Sequence, residues 1–207
     1  NVQGEVAWQF GNKATTSTTG ADRADNQQRE AMAAQVITSY NIAHQSVDKW
    51  KPVVAGWYTF LSGDANPADA STRGSPAASG ENYTAWDPMF EDQSGGTIYN
   101  TLFDYSNAHL AGGSLQVIPI EDVIAKVSFT GLWLQREIDT PTGCDGLAGC
   151  NLTLRQPDGT TIVTTDITTN RHVGNELDVD FVYNYTEDVQ FGASFGWFFP
   201  GALFDRP

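Results

Sequence analysis

Apolar and polar residues alternate strictly along much of this chain. Within 2–10, Val2, Val6, Trp8 and Phe10 share one phase with Gly4, while Gln3, Glu5, Ala7 and Gln9 take the other. A period of two sends successive side chains to opposite faces of an extended strand. The contrast sharpens over 173–185, where one phase reads Val173, Asn175, Leu177, Val179, Phe181, Tyr183, Tyr185 and the other Gly174, Glu176, Asp178, Asp180, Val182, Asn184. Over 189–199 one phase holds Val189, Phe191, Ala193, Phe195, Trp197 and Phe199, and the other Gln190, Gly192, Ser194, Gly196 and Phe198.

Weaker alternation at 32–42, 52–61, 115–119 and 123–136 brings the expectation to about seven strands. Most span about 9 to 14 residues, whereas soluble strands average about 5 to 6 and a tilted crossing of a hydrocarbon layer needs about 9 to 11. Predicted connections segregate by length. Short links join 42 to 52, 119 to 123 and 185 to 189, and long polar links occupy 12–29, 63–113 and 137–172. Within the last of these, 152–155 and 160–165 flank Gln156-Pro157-Asp158-Gly159, a turn sequence that predicts a hairpin. The stretch 97–108 is too irregular to assign. Short turns at one end and long loops at the other characterise an outer-membrane barrel, with periplasm below and the exterior above. The expected fold is therefore an all-β, antiparallel up-and-down transmembrane barrel, with 1–207 as one segment of it. An odd number of crossings predicts that at least one strand is missing and that the segment is incomplete at both ends.

Composition is compatible with this. The mean hydropathy of −0.33 is that of a soluble protein, but a barrel strand shows lipid only every second side chain. No run of about 18 apolar residues predicts a helical span. A net charge of −14 disfavours nucleic acid as a partner, and acidic loops bridged by divalent ions would suit a lipopolysaccharide surface, although simple solubility explains the same charge. Trp8, Tyr40, Trp133, Tyr183, Tyr185, Trp197 and Phe199 lie near predicted strand ends on the apolar phase, as aromatic girdles do at the headgroup level.

Five local sequences resemble the alginate export family of outer-membrane porins. They are Gly4-Glu5-Val6-Ala7-Trp8-Gln9-Phe10-Gly11, Leu61-Ser62-Gly63-Asp64-Ala65-Asn66-Pro67-Ala68-Asp69, Trp86-Asp87-Pro88-Met89-Phe90, Val173-Gly174-Asn175-Glu176-Leu177-Asp178 and Gly196-Trp197-Phe198-Phe199-Pro200-Gly201, in the family's order. The resemblance implies the C-terminal part of a large monomeric barrel and, for the best-known members, a basic channel for an acidic polysaccharide. Here the phase assigned to the lumen departs from that pattern: Glu5, Glu176, Asp178 and Asp180 stand against Lys126 and Arg136, so this part of the wall would repel a polyuronate.

The expected function is passive diffusion or export of hydrophilic solutes, oligo- or polysaccharides among them, across a bacterial outer membrane. No enzymatic activity and no cofactor are expected. The lumen residues would be Glu5, Gln9, Lys126, Ser128, Thr130, Arg136, Glu176, Asp178 and Asp180. Glu176, Asp178 and Asp180 also admit pairing with cations on neighbouring strands. Another reading takes Glu176 and Asp180 as the carboxyl pair of a secreted jelly-roll β-glucan hydrolase, and a further one makes the chain a non-conducting subunit of an envelope complex with other proteins. Cys144 and Cys150 bracket a short flexible segment and predict a disulfide, since two thiols without nearby His supply too few zinc ligands. Asp64, Asn66 and Asp69 are weak Ca²⁺ candidates lacking the glycine and closing Glu of an EF loop, and no metal site is expected. His44, His109 and His172 fall in a turn, a loop and a strand end without metal-ligand spacing.

Overall fold

The computed structural model describes residues 1–13, 27–64, 82–88, 96–103, 106–137, 151–155, 162–166 and 170–205. Nine strands occur in it: β1 (Val2–Lys13), β2 (Gln27–Asn41), β3 (Val53–Leu61), β4 (Ala108–Ile120), β5 (Val123–Leu134), β6 (Asn151–Arg155), β7 (Ile162–Asp166), β8 (His172–Asn184) and β9 (Gln190–Pro200). Seven form one sheet in the order β1-β2-β3-β4-β5-β8-β9, and β6 and β7 form the expected separate hairpin. Every neighbouring pair in the large sheet is antiparallel, so the chain meanders up and down. The sheet is open, with β1 and β9 at its edges. Among the described residues no helix is long and apolar enough to cross a membrane.

Two strands begin earlier than the alternation predicts. β2 starts at Gln27 and β4 at Ala108, which shortens the expected loops at 12–29 and 63–113. In both places the two faces carry similar side chains, so hydropathy offers no contrast: Gln28 and Glu30 against Arg29 and Ala31 in β2, Ala111 and Gly113 against Ala108 and Gly112 in β4. Among its described residues, the unassigned stretch near 97–108 holds a four-residue helix, α1 (Tyr99–Leu102), with β4 beginning at its last residue. The connections do segregate. Residues 42–52, 121–122 and 185–189 join strands at one end, and 14–26, 62–107 and 135–171 join them at the other.

The register keeps the two phases apart across all seven strands. One row of lateral partners runs Val2, Thr38, Gly56, Gly113, Phe129, Leu177, Trp197, and the next runs Tyr40, Val54, Leu115, Val127, Val179, Phe195. From the first row, β1 extends only toward the long connections, up to Lys13, whereas β9 lies mainly the other way, back to Gln190. The two edge strands are therefore displaced relative to each other along the strand direction.

Two irregularities have local causes. The β4–β5 pairing shifts between Val117 and Ile120, where Pro119 has no N–H to donate. The β5–β8 pairing shifts between Leu132 and Trp133, because β8 bulges at its start. Gly174 there has φ of 155°, and a Cβ on it would stand 2.5 Å from the carbonyl oxygen of Phe199. The bulge corrects the assignment of Val173: it leaves the apolar phase and turns into the buried core.

Candidate functional site

Among the described residues nothing covers the apolar face. Val6, Trp8, Phe10, Val36, Tyr40, Val54, Tyr58, Leu115, Val127, Phe129, Trp133, Phe181, Tyr183, Phe191, Phe195, Trp197 and Phe199 are all exposed on it. The seven proposed girdle aromatics share this exposure; Trp8, Trp133, Trp197 and Phe199 lie toward the long connections, and Tyr40, Tyr183 and Tyr185 toward the short turns. His109, expected in a loop, instead lies on this face in β4, where its Nδ1 and the Tyr58 hydroxyl share a 2.7 Å hydrogen bond. His172 opens β8 and stacks on Trp133 at 5.6 Å. His44 is exposed in the turn after β2, as expected.

The opposite face carries the predicted lumen residues other than Arg136, and its lateral pairs bring six of them together: Thr130 beside Glu176, Ser128 beside Asp178 and Lys126 beside Asp180. Part of this face is covered. Residues 96–103 lie across it, held by Glu176, whose side chain is 0% exposed. Its Oε1 accepts the backbone N–H groups of Thr97 at 2.7 Å and Ile98 at 2.8 Å, and its Oε2 accepts that of Tyr99 at 2.7 Å. These are N–H groups at the start of α1, which have no partner within a helix. Asp178 adds a longer contact, 3.3 Å, to the N–H of Thr97. Asp180 accepts the Ser194 hydroxyl at 2.7 Å and stands 3.9 Å from Lys126 Nζ.

A second stretch, 82–88, is fastened beside the first. Gln9 pairs its amide with both backbone groups of Asp87, while Arg29 meets the Asp87 carboxylate at 2.8 Å and lies over the Tyr83 ring. The Ser62 hydroxyl donates to the Thr84 carbonyl and accepts the N–H of Met32, so one side chain ties β2, β3 and the covering stretch together. Where the two stretches meet the sheet sits an apolar cluster of Leu61, Tyr99, Leu110, Leu132, Val173 and Leu203, with Trp86, Phe103, Phe198 and Phe204 packed around it. Its strand-borne leucines belong to the polar phase, at the end near the long connections. Toward the middle of the sheet the same face opens into a recess of about 510 Å³ bordered by Gln35, Trp57, Lys126, Asp178, Asp180 and Ser194, with Gly96 and Thr97 along its rim.

A comparison with known protein families finds no match for this chain, and a comparison with curated proteins finds none either.

Of the predicted lumen set, Lys126, Asp178 and Asp180 meet at the recess. Ser128 also borders it and is almost buried, whereas Thr130 is sealed under the covering stretch at 1% exposure. Gln9 and Glu176 are spent on fastening that cover. Glu5 is exposed on the edge strand, opposite Gln35. Arg136 lies beyond the end of β5, exposed, with its backbone paired to the Asn107 side chain, so strand alternation does not assign it a face. Asp64 accepts the N–H of Thr84, and Asn66 and Asp69 lie outside the described residues, as do Cys144 and Cys150. Sequence reasoning missed the cover and its cluster. The readable signal was Leu61, Leu110 and Leu132 interrupting the polar phase at the same end of three adjacent strands.

Proposed function

We propose that the chain forms part of the wall of a transmembrane β-barrel in a bacterial outer membrane, and that its polar face borders a path for passive movement of hydrophilic solutes. One observation carries the reading: large apolar and aromatic side chains occupy one side of all seven strands, and among the described residues nothing covers them. Soluble monomers rarely leave contiguous apolar patches beyond a few hundred Å² exposed to water. Strand length, the stagger and the segregated connections favour a tilted crossing. Two exposed belts of rings, one toward each end, suit two headgroup layers, with lipopolysaccharide the partner of the outer one. In lipid each unpaired backbone group costs several kcal/mol, so the reading requires both β1 and β9 to pair along their open edges. The resemblance to the alginate export family belongs with this reading, while Asp178 and Asp180 beside a single Lys126 favour cations over a polyuronate cargo.

The hydrolase alternative asks Glu176 to meet a substrate, yet both its carboxyl oxygens are taken by backbone N–H groups under the cover. The reading as a non-conducting envelope subunit has an observation in its favour, since the apolar cluster closes the polar face near the long connections. Two measurements separate these readings. Extraction from membranes only with detergent, together with heat-modifiable gel migration, is expected for the barrel; soluble protein without detergent overturns it. Cation-preferring conductance in planar bilayers is expected for the path, and an inserted barrel with no conductance assigns the chain to the structural role.

A further inference from the structure

Trp57 breaks the logic of the face it occupies. Its neighbours in phase on β3 are Ala55 and Thr59, and it takes no part in the apolar cluster near the long connections. It is half-buried and borders the recess. On the adjacent strand stands Gly112, whose Cβ, if it had one, would lie 2.5 Å from Cζ2 of the indole. The absent side chain lets the ring lie down against β4, so a flat apolar platform, with Ile37 as its lateral partner on β2, is set among polar side chains. Around it stand groups of both hydrogen-bonding polarities: the Gln35 amide, the Lys126 ammonium, the Ser194 hydroxyl and the Asp178 and Asp180 carboxyls.

A pyranose ring matches that arrangement. Its faces are C–H surface, suited to an aromatic plane, and its rim is hydroxyls that donate to carboxyls and accept from ammonium and amide groups. The recess volume of about 510 Å³ falls within the range of small-molecule sites, about 300 to 1,000 Å³. Two carboxyls against one ammonium make it unfavourable for a sugar bearing its own carboxylates.

From this juxtaposition we infer that the recess is a binding subsite for a neutral oligosaccharide, with Trp57 as the platform for one sugar ring. The inference rests on the polar face being reached by solute, as proposed above.

The test uses the full chain in detergent micelles, with maltohexaose, cellohexaose and an oligouronate of equal length as probes, read by saturation-transfer NMR and titrated to an apparent Kd. A neutral hexasaccharide is expected to bind more tightly than the uronate. Trp57→Ala is expected to weaken it about tenfold, the scale of losing a ring contact, while Trp57→Phe retains most of the affinity. Heat-modifiable migration checks that each variant is folded. No binding of either neutral probe, tighter binding of the uronate, or equal affinity in folded Trp57→Ala overturns the subsite. Bilayer conductance without sugar reads the channel separately. A conducting protein that ignores both neutral probes refutes only the subsite, and Trp57-dependent binding without conductance sustains the subsite while refuting the path.

Discussion

Replacing Glu176 by Gln tests how the cover is held. The substitution preserves side-chain volume, so no cavity forms. The amide oxygen can still accept the N–H groups of Thr97 and Ile98, but its NH₂ then faces the N–H of Tyr99, donor against donor, where a carboxyl oxygen now accepts at 2.7 Å. The opposite orientation loses two acceptor contacts in place of one. Losing one hydrogen bond to a charged group and stranding a buried N–H costs about 2 to 3 kcal/mol. The strand ladder does not pass through this side chain, so the cost falls on docking of 96–103 and not on the sheet. Amides of Thr97, Ile98 and Tyr99 should then exchange with solvent roughly 30- to 150-fold faster, at 1.36 kcal/mol per decade. Hydrogen exchange of the full chain in micelles measures this, with ladder amides at Val127 and Val179 as the internal reference. Unchanged rates at 97–99 would show that the carboxyl group does not hold the cover, and a parallel rise in the ladder would show that it supports the whole sheet instead.

Three further outcomes follow from the same geometry. Val127, 46% exposed on the apolar face, should tolerate Arg within about 0.5 kcal/mol if it faces water, but the substitution should cost about 2 to 4 kcal/mol if it faces the middle of a bilayer; unfolding in lipid vesicles decides, and a negligible loss refutes the membrane reading. Gly174→Ala places a Cβ against the Phe199 carbonyl at a φ that favours glycine, and should cost about 2 to 3 kcal/mol, seen as a lower temperature for the heat-induced shift in gel migration; an unchanged temperature would mean that the bulge is not constrained as described. Joint Asp178→Asn and Asp180→Asn should move the bilayer reversal potential toward that of a non-selective pore, and an unchanged potential removes both carboxyls from the path.

Four strands were legible from sequence almost to their ends, two of strong alternation and two of weaker: β8 and β9, and β3 and β5, begin and stop within two residues of the alternation that marks them. β4 lost its first half because Ala108, Ala111, Gly112 and Gly113 supply both faces alike, and a small residue carries no directional signal. The site was half legible. Alternation places Lys126, Ser128, Asp178 and Asp180 on one face, and the structure gathers them at one recess. It gives no hint that Glu176 is spoken for, since its partners lie 77 to 79 residues away in a stretch with no period of its own. A helix of four residues is too short to declare a 3.6-residue repeat. Val173 was misplaced for a related reason: a bulge inverts the phase between the residues on its two sides without leaving any mark in hydropathy.

The stagger between β1 and β9 bears on how pairing errors are avoided. A slip of one residue between neighbours exchanges inside for outside and is rejected by solvation alone. A slip of two keeps each side chain on its proper side and escapes that penalty. If the sheet crosses a bilayer obliquely, as proposed, such a slip would shift one hairpin's rings, Tyr183 and Trp197 among them, to a different depth from those of Trp8 and Tyr40, pulling some into the acyl region and lifting others into water. In that setting bilayer thickness would act as the ruler for the even-numbered errors that alternation cannot detect.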